Sequence, residues 1–244
     1  MSLLNRLRPL PERAQMPRAI QGRNLRLPEP PLHAPTIAPT PGSERSGRFS
    51  NGLKEFLWQL GDIGQGTLLD LGAVSQSTVS YFIERGFKVY TEDILGAWRN
   101  FIRDEETQAS LFTSTEPQDF SPKARTERFL VENLKHEPNT FDAVLLWDML
   151  DYLDRSSAPQ FIARLSSIVR EAGAVLAVFH TRMPEQFHRY RVLDAHTLEL
   201  APASQMLQPR HVYQNREIQD LFERFRTHKS FVSRDQLREN VFVK

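Results

Sequence analysis

The sequence predicts an α/β protein: a doubly wound, mostly parallel sheet with helices on both faces. Three observations lead there. Strand-like and helix-like segments alternate from residue 67 to residue 180. The runs Val144-Leu-Leu146 and Ala174-Val-Leu-Ala-Val-Phe179 are apolar without period-two polarity, as strands covered on both faces are. Finally, Thr67-Leu-Leu-Asp-Leu-Gly-Ala73 ends a strand in Asp-x-Gly, and Phe87-Lys-Val-Tyr-Thr-Glu-Asp-Ile94 ends a second strand in acids. Open α/β sheets build their ligand crevices at such carboxyl ends.

The elements follow in order. Nine of the 16 prolines lie in the first 50 residues, clustered at Pro28-Glu-Pro-Pro31 and from Pro35 to Pro41. Proline at that density removes amide donors and leaves little periodic apolar surface, so 1–46 reads as a disordered Pro/Arg-rich arm. Its start, 3–10, has the amphipathic character of a transit peptide, but Pro9, Pro11 and Pro17 interrupt any helix and a plain flexible tail is the better reading. The folded domain is expected over 47–244. Leu53, Phe56, Leu57 and Leu60 sit at helical spacing before Gly61, a good stop. Strands are expected at 67–73, 87–92, 128–132, 141–147 and 174–180, and helices at 77–85, 95–104 and 157–171. The polar stretch 104–127 reads as a short helix and loop. Beyond 180 the pattern changes. Segments 188–193 and 196–200 read as the arms of a hairpin across Asp194-Ala195. A helix is expected over 214–225, with Ile218, Leu221, Phe222 and Phe225 inward, and a closing antiparallel pair at 228–233 and 239–244.

Composition excludes several chemistries. With no cysteine there are no disulfides, thiolate metal sites or Cys nucleophiles, and a reducing, cytoplasmic setting is the expected one. No apolar run approaches the roughly 18 residues of a membrane span. The formal net charge of +1 argues against general affinity for polyanions. It hides an asymmetry: eight Arg against three Glu give residues 1–50 about +5, leaving about −4 for the rest. Acids, prolines and scarce aromatics in the arm make nucleic acid an unlikely partner.

In order and separation, three segments resemble the class I S-adenosylmethionine-dependent methyltransferases across about 50–244. Leu68-Leu-Asp-Leu-Gly72 is similar to their first motif, with the acids after Val89-Tyr-Thr91 standing as the second-strand acid. Phe141-Asp-Ala-Val-Leu-Leu-Trp-Asp-Met-Leu-Asp-Tyr-Leu153 is similar to their fourth-strand phrase. Residues 165–179, with Glu171-Ala-Gly-Ala-Val-Leu176, are similar to the next helix, glycine turn and fifth strand. The resemblance implies a Rossmann-like seven-stranded sheet of order 3-2-1-4-5-7-6 with the seventh strand antiparallel, here with an extra β-hairpin. It implies S-adenosyl-L-methionine as cofactor and methyl transfer to a small-molecule or protein acceptor, with a small molecule the readier partner.

Carried over by position, Asp70 would anchor the first loop and receive the cofactor's ammonium, while Gly72 and Ala73 let the backbone approach its methionine end. Asp93, or Glu92 beside it, would accept both ribose hydroxyls, as an acceptor-only carboxylate can. Asn133, placed after the strand expected at 128–132, would face the adenine amino group, and Trp147 would pack on the adenine or methionine end. The chain departs from the pattern at Val74 and Gln76, where the family's x-Gly-x-Gly would stand. A β-branched residue resists positive φ, so either this loop takes an ordinary conformation or the cofactor rides higher. Gln76 would then offer its amide to the cofactor carboxylate.

Each residue also has a structural reading. Asp70 and Asp93 could simply cap the loop and helix that follow them, and Trp147 and Tyr152 could be core. Asp148 is expected to begin a helix, with Asp151 and Asp154 facing solvent and no metal held. His180, ending the fifth strand, is the one candidate base; a satisfied structural imidazole is its other reading. A sulfonium methyl is already activated, so alignment supplies much of the rate and no fixed triad is demanded. Two functions remain from different classes: a methyltransferase, or a catalytically inactive methyltransferase-like binding and scaffold domain, the latter motivated by Val74 and Gln76. A dinucleotide oxidoreductase is disfavoured by the missing Gly-x-Gly-x-x-Gly.

Overall fold

In a computed structural model of the chain we describe residues 47–61, 63–111, 119–204 and 207–244; the arm expected at 1–46 lies outside them. The first of the central strands, β2 (Gly66–Asp70), pairs in parallel with β3 (Phe87–Thr91) on one side and β4 (Phe141–Trp147) on the other. Next to β4 in parallel comes β5 (Val169–His180), and then β9 (Leu237–Val243) runs antiparallel to both β5 and the outer strand β8 (Thr227–Val232). The six-stranded order is β3-β2-β4-β5-β9-β8. A second sheet sets β1 (Gly47–Phe49) antiparallel on the hairpin of β6 (Phe187–Val192) and β7 (Thr197–Ala203).

Among the described residues, six α-helices accompany these strands: α1 (Asn51–Gln59), α2 (Gln76–Ile83), α3 (Ile94–Leu111), α4 (Pro122–Glu132), α5 (Ala158–Ile168) and α6 (Asn215–Leu221). Adjacent residues of the parallel strands face opposite layers, and both layers are apolar, which explains the unbroken hydrophobic runs. Leu69, Val144, Leu146 and Val175 pack with Trp98, Phe129, Phe161 and Phe222 on one face. Leu68, Ala143, Leu145 and Leu176 pack with Leu53, Phe56 and Phe82 on the other, where Val192 and Leu198 of the hairpin join them. Among the described residues, no helix is long and apolar enough to cross a membrane.

Two expectations are corrected. Residues 128–132 are not a strand but the end of α4. Pro122 opens that helix and Ser121 Oγ accepts from Ala124 N at 3.3 Å. Phe129 is buried, Val131 is exposed, and Arg125 and Arg128 reach Glu105 of α3 at 3.0 and 2.7 Å. A three-residue apolar run cannot distinguish strand from helix, and here the ion pairs and Phe129 choose helix. With that strand gone, the described sheet has six strands instead of the seven expected, and β3 is its edge. The second correction is at the expected glycine turn. β5 begins five residues earlier than expected, because 170–173 form a bulge held to the end of the chain: Ala172, at φ +64°, donates to Lys244 O, and Lys244 N donates to Gly173 O.

A buried carboxylate ties β1 and the start of α1 to β9. Glu239 of β9 accepts from Ser50 Oγ at 2.9 Å and Gly52 N at 2.6 Å, and Arg48 of β1 lies 2.8 Å from its other oxygen. Ser50 also accepts from Leu53 N, starting α1. A Cβ on Gly52 would come 2.5 Å from Glu239 Cβ, so the helix can begin here only on glycine. Replacing Glu239 by alanine should lower unfolding free energy by about 2–3 kcal/mol in urea titrations, since it leaves the Ser50 hydroxyl and Gly52 N–H unpaired in the interior, while Arg48 keeps Asp235 at 2.6 Å. A loss under 1 kcal/mol would show that the tie is dispensable.

Candidate functional site

The carboxyl ends of β2, β3 and β4 meet in one place because their loops are stitched together. Leu71 N donates to Leu145 O at 3.0 Å, Glu92 N to Asp70 O at 2.8 Å, and Ile94 N to Leu71 O at 3.3 Å. Asp70, ending β2, is buried, and its Oδ1 accepts from Gly72 N at 3.0 Å and from Trp147 Nε1 at 2.7 Å. Burial pushes its carboxyl up to about 6, against the two hydrogen bonds, which pull it down. Trp147 closes β4 at a register shift and sits at φ +52°, where a bulky residue is rarely found. Its indole stacks on Tyr190 of β6 at 5.3 Å and 9° between planes. A Cβ on Gly72 would lie 2.6 Å from Trp147 Cδ1, so glycine is what lets the ring reach Asp70.

The cavity between these groups measures about 30 Å³ and is lined by Gly72, Ala73, Asp93, Leu95, Trp147 and Tyr190, among others. Asp93 lies at its edge and caps α3, its Oδ1 accepting from Gly96 N at 2.9 Å. Of the two expected ribose acids, Asp93 alone faces this cavity. Glu92 meets His136 Nε2 at 2.5 Å instead.

Asn133 is not at the cavity. Its Nδ2 donates to Phe129 O at 3.0 Å at the end of α4, beside a separate surface recess with Phe101 and Arg128. The expected strand that was to aim it at the site is a helix. Gln76 is exposed at the start of α2 and donates to Ser80 Oγ, and Val74 is 70% exposed. Neither fills the cavity floor. The non-glycine residues at positive φ are Leu134, Asn139, Trp147, Ala172 and Gln236, so among the described residues the 73–77 loop takes an ordinary conformation.

Next to this cavity lies a buried carboxylate–imidazole cluster. The turn Met149–Tyr152 follows β4 and faces the end of β5, where His180 stands. Asp151 Oδ2 meets both His180 Nδ1, at 2.9 Å, and the His180 backbone N–H, at 2.8 Å. His180 Nε2 lies 3.8 Å from Asp148 Oδ2, which accepts from the Tyr190 hydroxyl at 3.2 Å. Burial raises Asp148 to about 7, with Asp151 adding and His180 opposing. Burial raises Asp151 as well. For His180, burial pulls downward but is outweighed by the Asp151 hydrogen bond and both carboxylates, leaving the imidazole above its ordinary value. The expectation that Asp151 faces solvent is therefore wrong: the turn folds it beneath β5, and Asp148 is buried too. Tyr152 is packed on Phe187, in line with its core reading.

A second cavity of about 210 Å³ opens beyond His180, lined by Arg182, His188, Leu200, Asp235 and Leu237. His188 lines both cavities. Sequence reasoning did not find Tyr190 or His188, because the hairpin's place over the sheet is a tertiary fact. A signal existed for the acids: Asp148 and Asp151 stand three apart directly after an apolar strand.

The raised carboxyl of Asp148 sets a pH dependence. The native state keeps a proton that the unfolded chain releases between about pH 4 and 7, so stability falls as pH rises through that window. His180 acts in the same direction, its charged form being favoured in the native state. In Asp148→Asn, the unfolding free energy relative to wild type should therefore improve by on the order of 1–3 kcal/mol between pH 4 and pH 8. A difference that stays flat across this range would show that Asp148 ionises as an exposed acid does.

Neither a protein-family model nor a curated protein matches the chain. Among solved structures it is similar to 1,6-didemethyltoxoflavin-N1-methyltransferase of Burkholderia thailandensis, crystallised with 1,6-didemethyltoxoflavin and S-adenosylhomocysteine. The identity is 16%, over 79% of this chain and 76% of that one, with a TM-score of 0.44. It is also similar to a SAM-dependent methyltransferase from Archaeoglobus fulgidus, at 12% identity over 79% and 91% of the two chains and a TM-score of 0.45. A third, from Methanosarcina mazei, has 16% identity over 74% and 93%, with a TM-score of 0.41. Each of these three proteins is a methyltransferase.

Proposed function

We propose that the chain is a class I S-adenosylmethionine-dependent methyltransferase acting on a small molecule, in a cytoplasmic setting. The observation that carries this reading is that Gly72 and Asp93, from the loops after β2 and β3, line one cavity with Trp147 of β4, while Asp70 lies buried behind Gly72 and Trp147, bonded to both. A buried carboxylate with a bare glycine beside it suits an ammonium, and Asp93 keeps an acceptor-only group for a pair of hydroxyls. When bound, the cofactor supplies a methyl group already activated on a sulfonium sulfur. The protein's own part is to orient and to exclude water, which is where most of the acceleration in such a transfer arises.

His180 is the group suited to take a proton from an oxygen or nitrogen acceptor lodged in the 210 Å³ cavity. Asp151 fixes its ring through Nδ1, leaving Nε2 as the working nitrogen, with Asp148 beside it. Asn133 and Gln76 have no part in this reading.

One observation favours the other reading, a binding or scaffold domain without catalysis. The cavity is small, about 30 Å³, while Trp147 sits on Asp70 and Tyr190 stacks on it. Calorimetry with S-adenosylmethionine separates the two: binding in the micromolar range is expected, and none at millimolar donor would leave only the scaffold. Asp93→Asn should weaken binding about tenfold, about 1.4 kcal/mol, because an amide offers one oxygen where the carboxylate offers two. Its unfolding midpoint should barely move, since Asn caps a helix about as well as Asp.

A further inference from the structure

We propose that the Trp147 indole is a gate on the donor cavity, held shut by Asp70 and opened by adenosyl ligands that carry an ammonium. The inference rests on the donor reading of that cavity. Its ground is that one atom, Asp70 Oδ1, is already used: Trp147 Nε1 donates to it at 2.7 Å in the place where a ligand ammonium would bind. The ring also occupies the room, because only about 30 Å³ remains beside it.

The closed position is held under backbone strain. Trp147 sits at φ +52°, at a register shift that ends the pairing of β4 with β5, so its backbone holds the ring in a conformation disfavoured for any residue but glycine. Holding it are the hydrogen bond to Asp70, the flat stack on Tyr190, the contact with Gly72 and the apolar cluster on that face of the sheet. Tyr190 belongs to the β6–β7 hairpin, not to the parallel sheet, and its hydroxyl holds to Asp148, so opening the ring means releasing that hydrogen bond as well. The competition has a direction. An indole N–H is a neutral donor with one proton, whereas an ammonium brings charge and three, and charge-assisted bonds are roughly twice as strong. Ligands lacking that group face the closed ring with nothing to exchange for it. The apparent affinity is then the intrinsic one scaled by the fraction of open protein.

The test uses the full chain at pH 8, where Asp70 is ionised. Trp147→Phe keeps a ring against Tyr190 but cannot donate to Asp70, and it should bind S-adenosylhomocysteine about tenfold more tightly than wild type by calorimetry, about 1.4 kcal/mol. Equal or weaker binding would overturn the gate and make Trp147 an ordinary wall of the site. A second measurement does not depend on that variant folding. In Trp58→Phe the exposed tryptophan is gone and two buried ones, Trp98 and Trp147, remain. Saturating S-adenosylhomocysteine should shift its emission to the red as the Trp147 ring leaves its pocket. 5′-Methylthioadenosine, which has no amino-acid end, should bind at least tenfold more weakly and leave the emission unmoved. An unmoved emission with S-adenosylhomocysteine bound, or the same shift with 5′-methylthioadenosine, overturns the gate alone. No binding of S-adenosylhomocysteine to wild type or Trp147→Phe at millimolar ligand overturns the donor reading, and the gate falls with it.

Discussion

The Asp70 carboxylate organises the working end of this sheet because it has no water to turn to. Buried at the tip of β2, it takes its hydrogen bonds from Gly72 N and Trp147 Nε1, and that pair fixes both the loop leaving β2 and the last residue of β4. Gly72 has no Cβ, so the indole can lie against the loop. The indole in turn provides the flat surface on which Tyr190 of the hairpin rests. One carboxylate thus connects sheet, loop and lid, and removing its partners singly would leave a costly unpaired charge.

A second set of acids extends this arrangement. Tyr190 reaches Asp148, Asp148 lies beside His180, and His180 is fixed by Asp151. The chain of contacts runs from the small cavity over β2 and β4 to the larger one beyond β5. Burial shifts Asp70 and Asp148 upward into the range near neutrality, where a change of ligand charge can move a proton. Such linked, half-neutral groups cost stability at neutral pH. Their concentration at one end of the sheet, with the tie at Glu239 elsewhere, separates what holds the fold from what is arranged around the cavities.

How much was legible follows from period and distance. The apolar runs at 141–147 and 174–180 announce buried parallel strands because polarity does not alternate. The pairing of β6 with β7 is legible from two apolar-polar arms across a short turn, and the closing pair β8–β9 likewise. The failure at 128–132 came where Phe129-Leu-Val131 gave three residues and no period; what decided it was the Glu105 carboxylate on another helix. Asp151 looked solvent-facing because acids after a strand usually are, and only the fold-back of the 149–152 turn buries it.

The sequence by itself determined the α/β class, the places of most elements, and the positions of Asp70, Gly72, Asp93 and Trp147 near the strand ends, since these depend on local pattern and on chain order. The tertiary structure alone decided which of Glu92 and Asp93 faces the cavity, that Asn133 and Gln76 face elsewhere, and that the 73–77 loop takes an ordinary conformation while the positive φ near the site falls at Trp147. Those outcomes depend on contacts between residues far apart in the chain: Asp70 with Trp147, Trp147 with Tyr190, Asp151 with His180. No local periodicity encodes such pairs, because they arise from packing the hairpin over the sheet.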